Sequence, residues 1–291
     1  MKCKICNSQN LSIYLDNPKI LECNDCKNSF RLKAPLAIEK MYSFRIPMPD
    51  FFSTKLRNRH HIDLIERNIG FKNIQSILEI GSGNGKLIKR IRHEHHDVKI
   101  TVIEPGSYFK KELSKIKNIS IINDYIENVN INEKFDLIIM SHVLEHLEKP
   151  VENLIFIYEK FLKINGYLYI DIPNKDYELR NIHGAMIAPV IHLFFFAGIG
   201  IKNILMDIGF KEEFIFGNKY STLPNRFIHS LELIANNDIR FLEKIKLKII
   251  NRFILFFSGF NRVVFKKKII VIGLDESNSK FNNIAIIGKK C

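Results

Sequence analysis

The sequence predicts an α/β protein built on a doubly wound, mostly parallel sheet, and three observations indicate this. Apolar runs of strand length alternate with amphipathic helical stretches between about residues 75 and 217. The first of these runs ends in a glycine-rich turn that opens directly into a helix, as at the nucleotide sites of open α/β sheets. Four cysteines precede this region as two close pairs, which indicates a small separate unit at the N-terminus.

Composition limits the class of protein. Hydrophobic residues make up 46% of the chain and charged residues 26%, which is ordinary for a globular protein. No apolar segment follows Met1, and no run of 18 apolar residues occurs, so we expect a cytoplasmic protein without a spanning helix. The net charge of +13 favours anionic partners. Residues 51–210 are nearly balanced, with 21 basic against 19 acidic residues, whereas residues 211–291 have 15 against 7.

The cysteine pairs predict a structural metal site. Cys3 and Cys6 are separated by two residues, as are Cys23 and Cys26, so each pair can place two thiolates on one side of an ion. Four sulfur ligands complete a tetrahedral Zn²⁺ site and leave no open position. Residues 11–21 between the pairs alternate like a hairpin, and the ribbon is expected to span residues 1–35. Two disulfides are the alternative, which a reducing cytoplasm disfavours.

The secondary structure follows from periodicity. A proline-punctuated linker leads into a helix at about 53–68. The predicted strands are 75–80, 98–104, 119–123, 134–141, 166–172, 210–217 and 281–288, and the predicted helices are 85–96, 107–117, 150–163 and 201–208. A further helical insertion is expected at about 222–268.

The turn after the first predicted strand carries the clearest chemical signal. Gly81, Gly83 and Gly85 alternate with other residues, and Glu79 stands two positions before the first of them. Glycine lets the backbone turn sharply and approach a ligand without interference from a Cβ atom. A simple turn without a ligand is the alternative. At the end of the second strand, Glu104 can accept hydrogen bonds from both hydroxyls of a ribose, or else cap the next helix.

Further motifs follow in a fixed order. Asn123-Asp124 follows the third strand, the fourth runs from Phe135-Asp136 to Ser141 and continues into the letters HVLEHL, and the fifth enters after Asn165-Gly166. Together with the glycine turn, these elements resemble those of the class I S-adenosylmethionine-dependent methyltransferases. The resemblance covers about residues 74–217.

The resemblance implies a Rossmann-like sheet of seven strands with the last one antiparallel, formed by residues 36–291. It implies S-adenosylmethionine as cofactor, with the glycine turn against its amino-acid part and Asp124 accepting from the adenine amino group. It also implies a cofactor-side position for Ser141. Asp124 as an ordinary loop residue is the alternative, and Asp136 is expected to be structural.

Three histidines are candidates for the general base that a hydroxyl or carbon acceptor needs. His142 and His146 stand at the carboxyl end of the fourth strand, where open α/β sheets bind ligands. His192 opens a segment, His192-Leu193-Phe194-Phe195-Phe196 continuing to Gly209-Phe210, that resembles one in sugar and small-molecule methyltransferases. It is therefore the first candidate. The alternative for His146 and His192 is a structural role.

Three functions compete. The ribbon together with this core resembles bacterial sugar methyltransferases, which favours a sugar or nucleotide-sugar acceptor in surface polysaccharide synthesis. An rRNA or tRNA methyltransferase that docks RNA through its ribbon is the second hypothesis, and a binding module without transfer activity is the third. Residues 240–268 interleave basic and apolar residues, which suits either a helical insertion over the pocket or a dimer, or peripheral contact with a membrane.

Overall fold

The computed structural model describes residues 1–16, 19–33, 52–176, 179, 192–218 and 283–291. Several predictions concern residues outside these ranges: the linker, the helical insertion at 222–268 and the basic segment 240–268. Among the described residues, no helix has the length and apolar character needed to cross a membrane.

The N-terminal cysteine unit is a small antiparallel sheet. Strands β1 (Leu11–Leu15) and β2 (Ile20–Cys23) form the predicted hairpin, and β3 (Ser29–Arg31) pairs with β2. A fourth strand comes from far along the chain, because β9 (Phe194–Phe195) pairs with β3. The ribbon therefore shares a sheet with the segment that follows His192.

The main sheet confirms the predicted fold class. Within the described residues it has seven strands in the order β10-β11-β8-β7-β4-β5-β6. Their bounds are β4 Ser76–Ile80, β5 Lys99–Ile103, β6 Ser120–Ile122, β7 Phe135–Ser141, β8 Leu162–Pro173, β10 Phe210–Asn218 and β11 Asn283–Lys290. The last strand, β11, is antiparallel to both of its neighbours, whereas β4 to β8 pair in parallel.

Five α-helices connect these strands in the described residues, and three are shorter than predicted. Their bounds are α1 Phe52–Asn68, α2 Lys86–Glu94, α3 Ser107–Leu113, α4 Pro150–Phe156 and α5 Gly198–Ile208. The predicted helix ends at residues 96, 117 and 163 lie beyond the observed ends at Glu94, Leu113 and Phe156. After α4, one π-helical turn at Ile157–Phe161 leads directly into β8.

The early start of β8 has a packing cause. Phe135 pairs with Leu162, but Leu137 pairs with Tyr167, so β8 carries extra residues as a bulge. A Cβ atom at Gly166 would lie 3.0 Å from the carbonyl oxygen of Phe135. Glycine therefore lets the bulge approach β7, which the helical periodicity of this stretch did not reveal.

The sheet is fixed at its amino end by Asp136. Its Oδ2 accepts hydrogen bonds from the Ser76 amide (2.9 Å) and hydroxyl (2.8 Å), and Lys163 Nζ lies 3.0 Å from Oδ1. These contacts join β7 to the start of β4 and to the bulge in β8. Asp136 is structural, as the sequence indicated, and the carboxyl ends of the strands are left for ligands.

Candidate active site

The glycine turn after β4 requires glycine at each of its three positions. Gly81, Gly83 and Gly85 have φ angles of 71°, 53° and 70°, in the left-handed region that side chains disfavour. A Cβ atom at Gly81 would lie 2.4 Å from Val143 Cγ2, and one at Gly85 would lie 2.6 Å from Leu113 Cδ2. At Gly83 a Cβ atom would meet no described atom within 4 Å. The turn is thus packed on two sides and open at its middle glycine, where a ligand can approach the backbone.

Glu104 joins this turn to the end of β5. Its Oε2 accepts a hydrogen bond from the Gly83 amide (2.7 Å), and its Oε1 accepts one from the Gly106 amide (2.8 Å). Burial raises the pKa of Glu104, and these two amides oppose that rise. Because a carboxylate has about four lone pairs, each oxygen can still accept from a ribose hydroxyl.

Asp124 lies at the next position along this edge. Its Oδ1 accepts hydrogen bonds from the Tyr125 amide (2.7 Å) and from Asn128 Nδ2 (2.9 Å). No described residue donates to its Oδ2, so one oxygen fixes the local turn and the other can receive an amino group. The neighbouring Asn123 donates to the Glu104 carbonyl oxygen (2.6 Å), which holds β6 against β5.

A second group of polar side chains gathers where β7 and β8 end. His142 has a φ of 55°, unusual for a residue with a side chain, and its amide donates to the Asp171 carbonyl oxygen (2.8 Å). Its Nε2 lies 3.3 Å from Asp171 Oδ2, and its Nδ1 lies 3.3 Å from Glu145 Oε1. Asn283, on β11, donates to the same Asp171 oxygen (3.2 Å).

These contacts distinguish His142 from the other two candidate bases. Burial alone would lower the pKa of His142, but its interactions with the Asp171 and Glu145 carboxylates outweigh burial and raise that pKa to about 9. Asp171 has its pKa lowered to about 2, because the histidines that face it outweigh its burial. His142 is therefore protonated at neutral pH and unsuited to accept a proton.

His146 and His192 come together over a buried carboxylate. Their rings meet edge to face with centroids 4.8 Å apart, and the Nε2 atoms lie 3.9 Å and 4.0 Å from Glu145 Oε1. The two side chains are 14% and 11% exposed, whereas Glu145 is 1% exposed. The Leu193 amide donates to the Glu145 carbonyl oxygen (2.8 Å), which holds the two segments together. The structure thus brings all three predicted histidines to one edge.

At the carboxyl edge of the sheet, the glycine turn and the acidic residues Glu104 and Asp124 therefore lie on one side, and the histidine cluster lies on the other. Residues 52–213, more than half of the chain, match the methyltransferase domain family. The chain belongs to this family. It is an S-adenosylmethionine-dependent methyltransferase.

Solved methyltransferases share the fold of this enzyme. The plantazolicin methyltransferase BamL, in complex with a triazolic desmethylPZN analog and SAH, has a TM-score of 0.55 at 14% identity, with 87% of this chain and 90% of that chain covered. A SAM-dependent methyltransferase from Thermotoga maritima, described as a possible histamine N-methyltransferase, has a TM-score of 0.53 at 15% identity, with 83% and 92% covered. The plantazolicin methyltransferase BpumL, with a triazolic analog and SAH, has a TM-score of 0.52 at 16% identity, with 87% and 89% covered. No curated protein sequence matches this chain.

The residues predicted to hold the cofactor fit it chemically. Gly83 is open to a ligand, and Glu104 and Asp124 each retain lone pairs at neighbouring strand ends. Glu79 is 3% exposed, and its Oε2 makes no hydrogen bond within the described residues. Burial and the adjacent Glu104 carboxylate raise the pKa of Glu79 to about 8. A cationic ligand at this turn would compensate for this buried acid.

Replacing Glu79 with glutamine is expected to flatten the pH dependence of stability. The folded-state pKa of Glu79 lies above its ordinary value of 4.5, so the folded enzyme keeps a proton that the unfolded chain loses. The free energy of unfolding therefore falls as the pH rises from about 5 to 8, by roughly 2 to 4 kcal/mol through this group. Urea unfolding of the cofactor-free enzyme at several pH values in this window measures the difference between wild type and Glu79→Gln. Glu112→Gln on the exposed face of α3 is the control, and parallel curves for wild type and Glu79→Gln would contradict the assignment.

The candidate site also contains residues that sequence reasoning missed. His61, from α1, lies with Nδ1 2.6 Å from the Tyr169 hydroxyl oxygen and Nε2 3.3 Å from Ser141 Oγ. Burial lowers the pKa of His61 to about 3, so the ring is neutral. Asp171 and Asn283 are the other two residues of the His142 group that the sequence did not indicate. Their strands were predicted, but a single sequence gives no signal for which polar residues of an apolar strand face a site.

The four cysteine sulfurs of the N-terminal ribbon form one cluster. The sulfurs of Cys3 and Cys26 are 3.7 Å apart and those of Cys6 and Cys23 are 3.5 Å apart, and all four lie within 4.8 Å of one another. A disulfide needs about 2.05 Å, so these cysteines are not paired as disulfides. The set is one that could hold a metal ion.

The ribbon is attached directly to the segment that carries His192. Arg31 Nε donates to the His192 carbonyl oxygen (2.8 Å), and the Arg31 amide donates to the next carbonyl oxygen, that of Leu193 (2.9 Å). Asn28 Oδ1 accepts from the Ala197 amide (2.9 Å), and Lys175 Nζ forms an ion pair with Glu22 (2.5 Å). The ribbon therefore fixes the backbone of this segment from both ends.

Proposed function

We propose that this methyltransferase acts on a hydroxyl of a small polar acceptor, a sugar or nucleotide-sugar used in surface polysaccharide synthesis. The observation that carries the proposal is the cluster of Glu145, His146 and His192 beneath the ribbon. The cluster offers imidazole and carboxylate groups that can accept or donate a proton. The side chains of His146 and His192 are only 14% and 11% exposed. Such an enclosed polar site suits a small acceptor with several hydroxyl groups better than a long polymer.

The chemistry needs positioning and one proton transfer. When bound, S-adenosylmethionine supplies a methyl group on a positively charged sulfur. Gly83, Glu104 and Asp124 would hold it at the ends of β4, β5 and β6. The histidine cluster would hold the acceptor at the ends of β7 and β8, on the opposite side of the glycine turn. We call these two strand ends, with the polar side chains gathered there, the acceptor edge. Alignment of the two reactants supplies much of the rate acceleration, and a base removes the acceptor proton.

The histidines at the acceptor edge have different parts in this scheme. His142 is a cation held by Asp171 and Glu145, so it can orient an oxygen but cannot accept a proton. His192, the base candidate from the sequence, stands beside His146 with its backbone held by Arg31. The similarity to BamL and to the Thermotoga maritima enzyme supports the fold, and the choice of acceptor rests on this site.

We further propose that the cysteine cluster binds a structural Zn²⁺ ion. A tetrahedral site with Zn–S distances of about 2.3 Å places sulfurs about 3.8 Å apart, close to the 3.5 and 3.7 Å observed. Four thiolates fill the coordination sphere, so this ion would stabilise the ribbon and take no part in methyl transfer.

The acceptor is tested with methyl-labelled S-adenosylmethionine and an extract separated into RNA, nucleotide-sugar and glycolipid fractions. We expect label in the sugar-containing fractions, reduced at least about 100-fold in His192→Ala because a site residue is lost. His93→Ala is the matched control, since this histidine is exposed on α2. Label in RNA alone would support RNA docking by the ribbon and contradict the sugar proposal. Absence of label from every fraction, with cofactor binding intact, would also contradict it.

A further inference from the structure

We propose that Glu145, His146 and His192 bind one divalent transition-metal ion, at a site distinct from the four cysteines. The inference rests on the proposed function in one respect, because it assigns this ion to the proposed acceptor site. It also changes the role of His192, since an imidazole nitrogen that binds a metal cannot accept a proton at the same time.

The geometry brings three ligand atoms to one point. Glu145 Oε1 lies 3.9 Å from His146 Nε2 and 4.0 Å from His192 Nε2, and one ligand atom from each residue falls within 4.8 Å of the other two. An ion bound at about 2.0 to 2.2 Å needs neighbouring ligands about 3 to 3.5 Å apart, so the side chains must close by about 1 Å. Small side-chain rotations provide such a movement.

The buried carboxylate gives a second, independent reason. Glu145 is 1% exposed, and neither of its carboxylate oxygens makes a hydrogen bond within the described part of the chain. Its nearest charged neighbour is His142, whose Nδ1 lies 3.3 Å from Oε1 while its Nε2 lies 3.3 Å from Asp171 Oδ2, so two buried carboxylates share one imidazole. A buried charge is costly unless it is paired or coordinates a metal. An ion between Glu145 and the two outer histidines would satisfy this requirement.

The ligand set indicates the class of ion. Two imidazole nitrogens and one carboxylate oxygen are typical of Zn²⁺, Co²⁺ and Fe²⁺ sites that keep open coordination positions. The four thiolates of the ribbon form a closed set, so the two sites differ in chemistry. Glu145 and His146 lie on the turn Leu144–His146, which follows β7, and His192 lies just before β9, so the three ligands stand near the end of β7.

The ion would act on the acceptor hydroxyl. It would lower the pKa of that hydroxyl by binding its oxygen. The hydroxyl proton would pass to solvent water, and an oxygen lone pair would form the new bond to the methyl carbon. The carbon–sulfur bond would break with its electron pair remaining on sulfur, which leaves the neutral thioether. No oxidation or reduction occurs.

The test is a Co²⁺ titration of the metal-free, full-length protein after one equivalent of Zn²⁺ has been added to fill its cysteine cluster. We expect one equivalent of Co²⁺ to bind with visible d–d absorption and without the near-ultraviolet charge-transfer band that thiolate ligands produce. Glu145→Gln, His146→Asn and His192→Asn should each weaken this binding at least tenfold. His93→Asn, on the exposed face of α2, should leave it unchanged, and SAH binding reports that each variant is folded.

Two results would overturn the metal site. In the first, no Co²⁺ ion binds except one that shows thiolate charge transfer. In the second, Co²⁺ binding persists at full strength in folded Glu145→Gln or disappears in His93→Asn. The labelling assay separates this inference from the proposed acceptor. Co²⁺ binding without labelled sugar would overturn the acceptor alone. The metal site alone would be overturned if protein with only its cysteine cluster filled bound no further ion and still labelled sugar at an undiminished rate of methyl transfer.

Discussion

Cys26→Ser is expected to reduce methyl transfer about 100-fold or more, although Cys26 lies outside the reacting centre. A displacement of about 1 Å in a positioned group can cost this much rate. The ribbon holds the acceptor edge through Asn28, whose Oδ1 accepts from the Ala197 amide, and through Arg31, whose guanidinium donates to the His192 carbonyl oxygen. Loss of one thiolate would remove the proposed zinc ion and release β3, and His192 would no longer be held.

The effect should be selective for the acceptor edge. Affinity for SAH should change much less, because the hydrogen bonds that attach the ribbon go to residues 175 and 192–197, whereas the glycine turn is held by Glu104 and Val143. Steady-state rates and SAH titrations measure the two effects separately.

Two further variants make this prediction precise. Cys291→Ser is the matched control, since this cysteine is exposed at the terminus and outside the cluster. Arg31→Met tests the same attachment with all four thiolates intact, and it should also lower the rate while leaving the proposed zinc ion of the ribbon bound. Full activity of zinc-free Cys26→Ser at saturating acceptor would show that the ribbon has no part in positioning His192.

Glu104→Gln is expected to weaken S-adenosylmethionine binding about 10- to 100-fold. The Glu104 carboxylate accepts from the amides of Gly83 and Gly106 and has lone pairs left for a ribose. A glutamine amide would present a donor to one of these amides, leaving that donor unpaired in a buried position. The loss of hydrogen bonds to a charged group costs about 1.5 to 3 kcal/mol, and each 1.4 kcal/mol is a factor of ten in affinity.

Calorimetric titration with S-adenosylmethionine and with SAH measures this effect. The matched control is Glu112→Gln, where an exposed carboxylate on α3 pairs with Lys115. Binding of Glu104→Gln within twofold of wild type would refute the assignment of this residue to the ribose.

The residues proposed to hold the cofactor were predictable because each is marked by a signal within a few positions of the chain. Gly81, Gly83 and Gly85 have positive φ angles that only glycine adopts at low cost, so their spacing indicates the turn directly. Strand ends are visible where an apolar run stops at Glu104 or Asp124. The bulge at Gly166 was not visible, because pairing with Phe135 on another strand decided where β8 begins.

The sequence by itself determined the α/β fold, the cofactor turn and the four-cysteine unit, since each depends on residues close together in the chain. Only the tertiary structure decided the composition of the acceptor edge. His61 from α1, Asp171 from β8 and Asn283 from β11 meet His142 there, and Arg31 of the ribbon reaches His192, 161 positions away. Residue types and spacing carry no information about such contacts, because the distance between these side chains is set by how helices and strands pack rather than by the chain that links them.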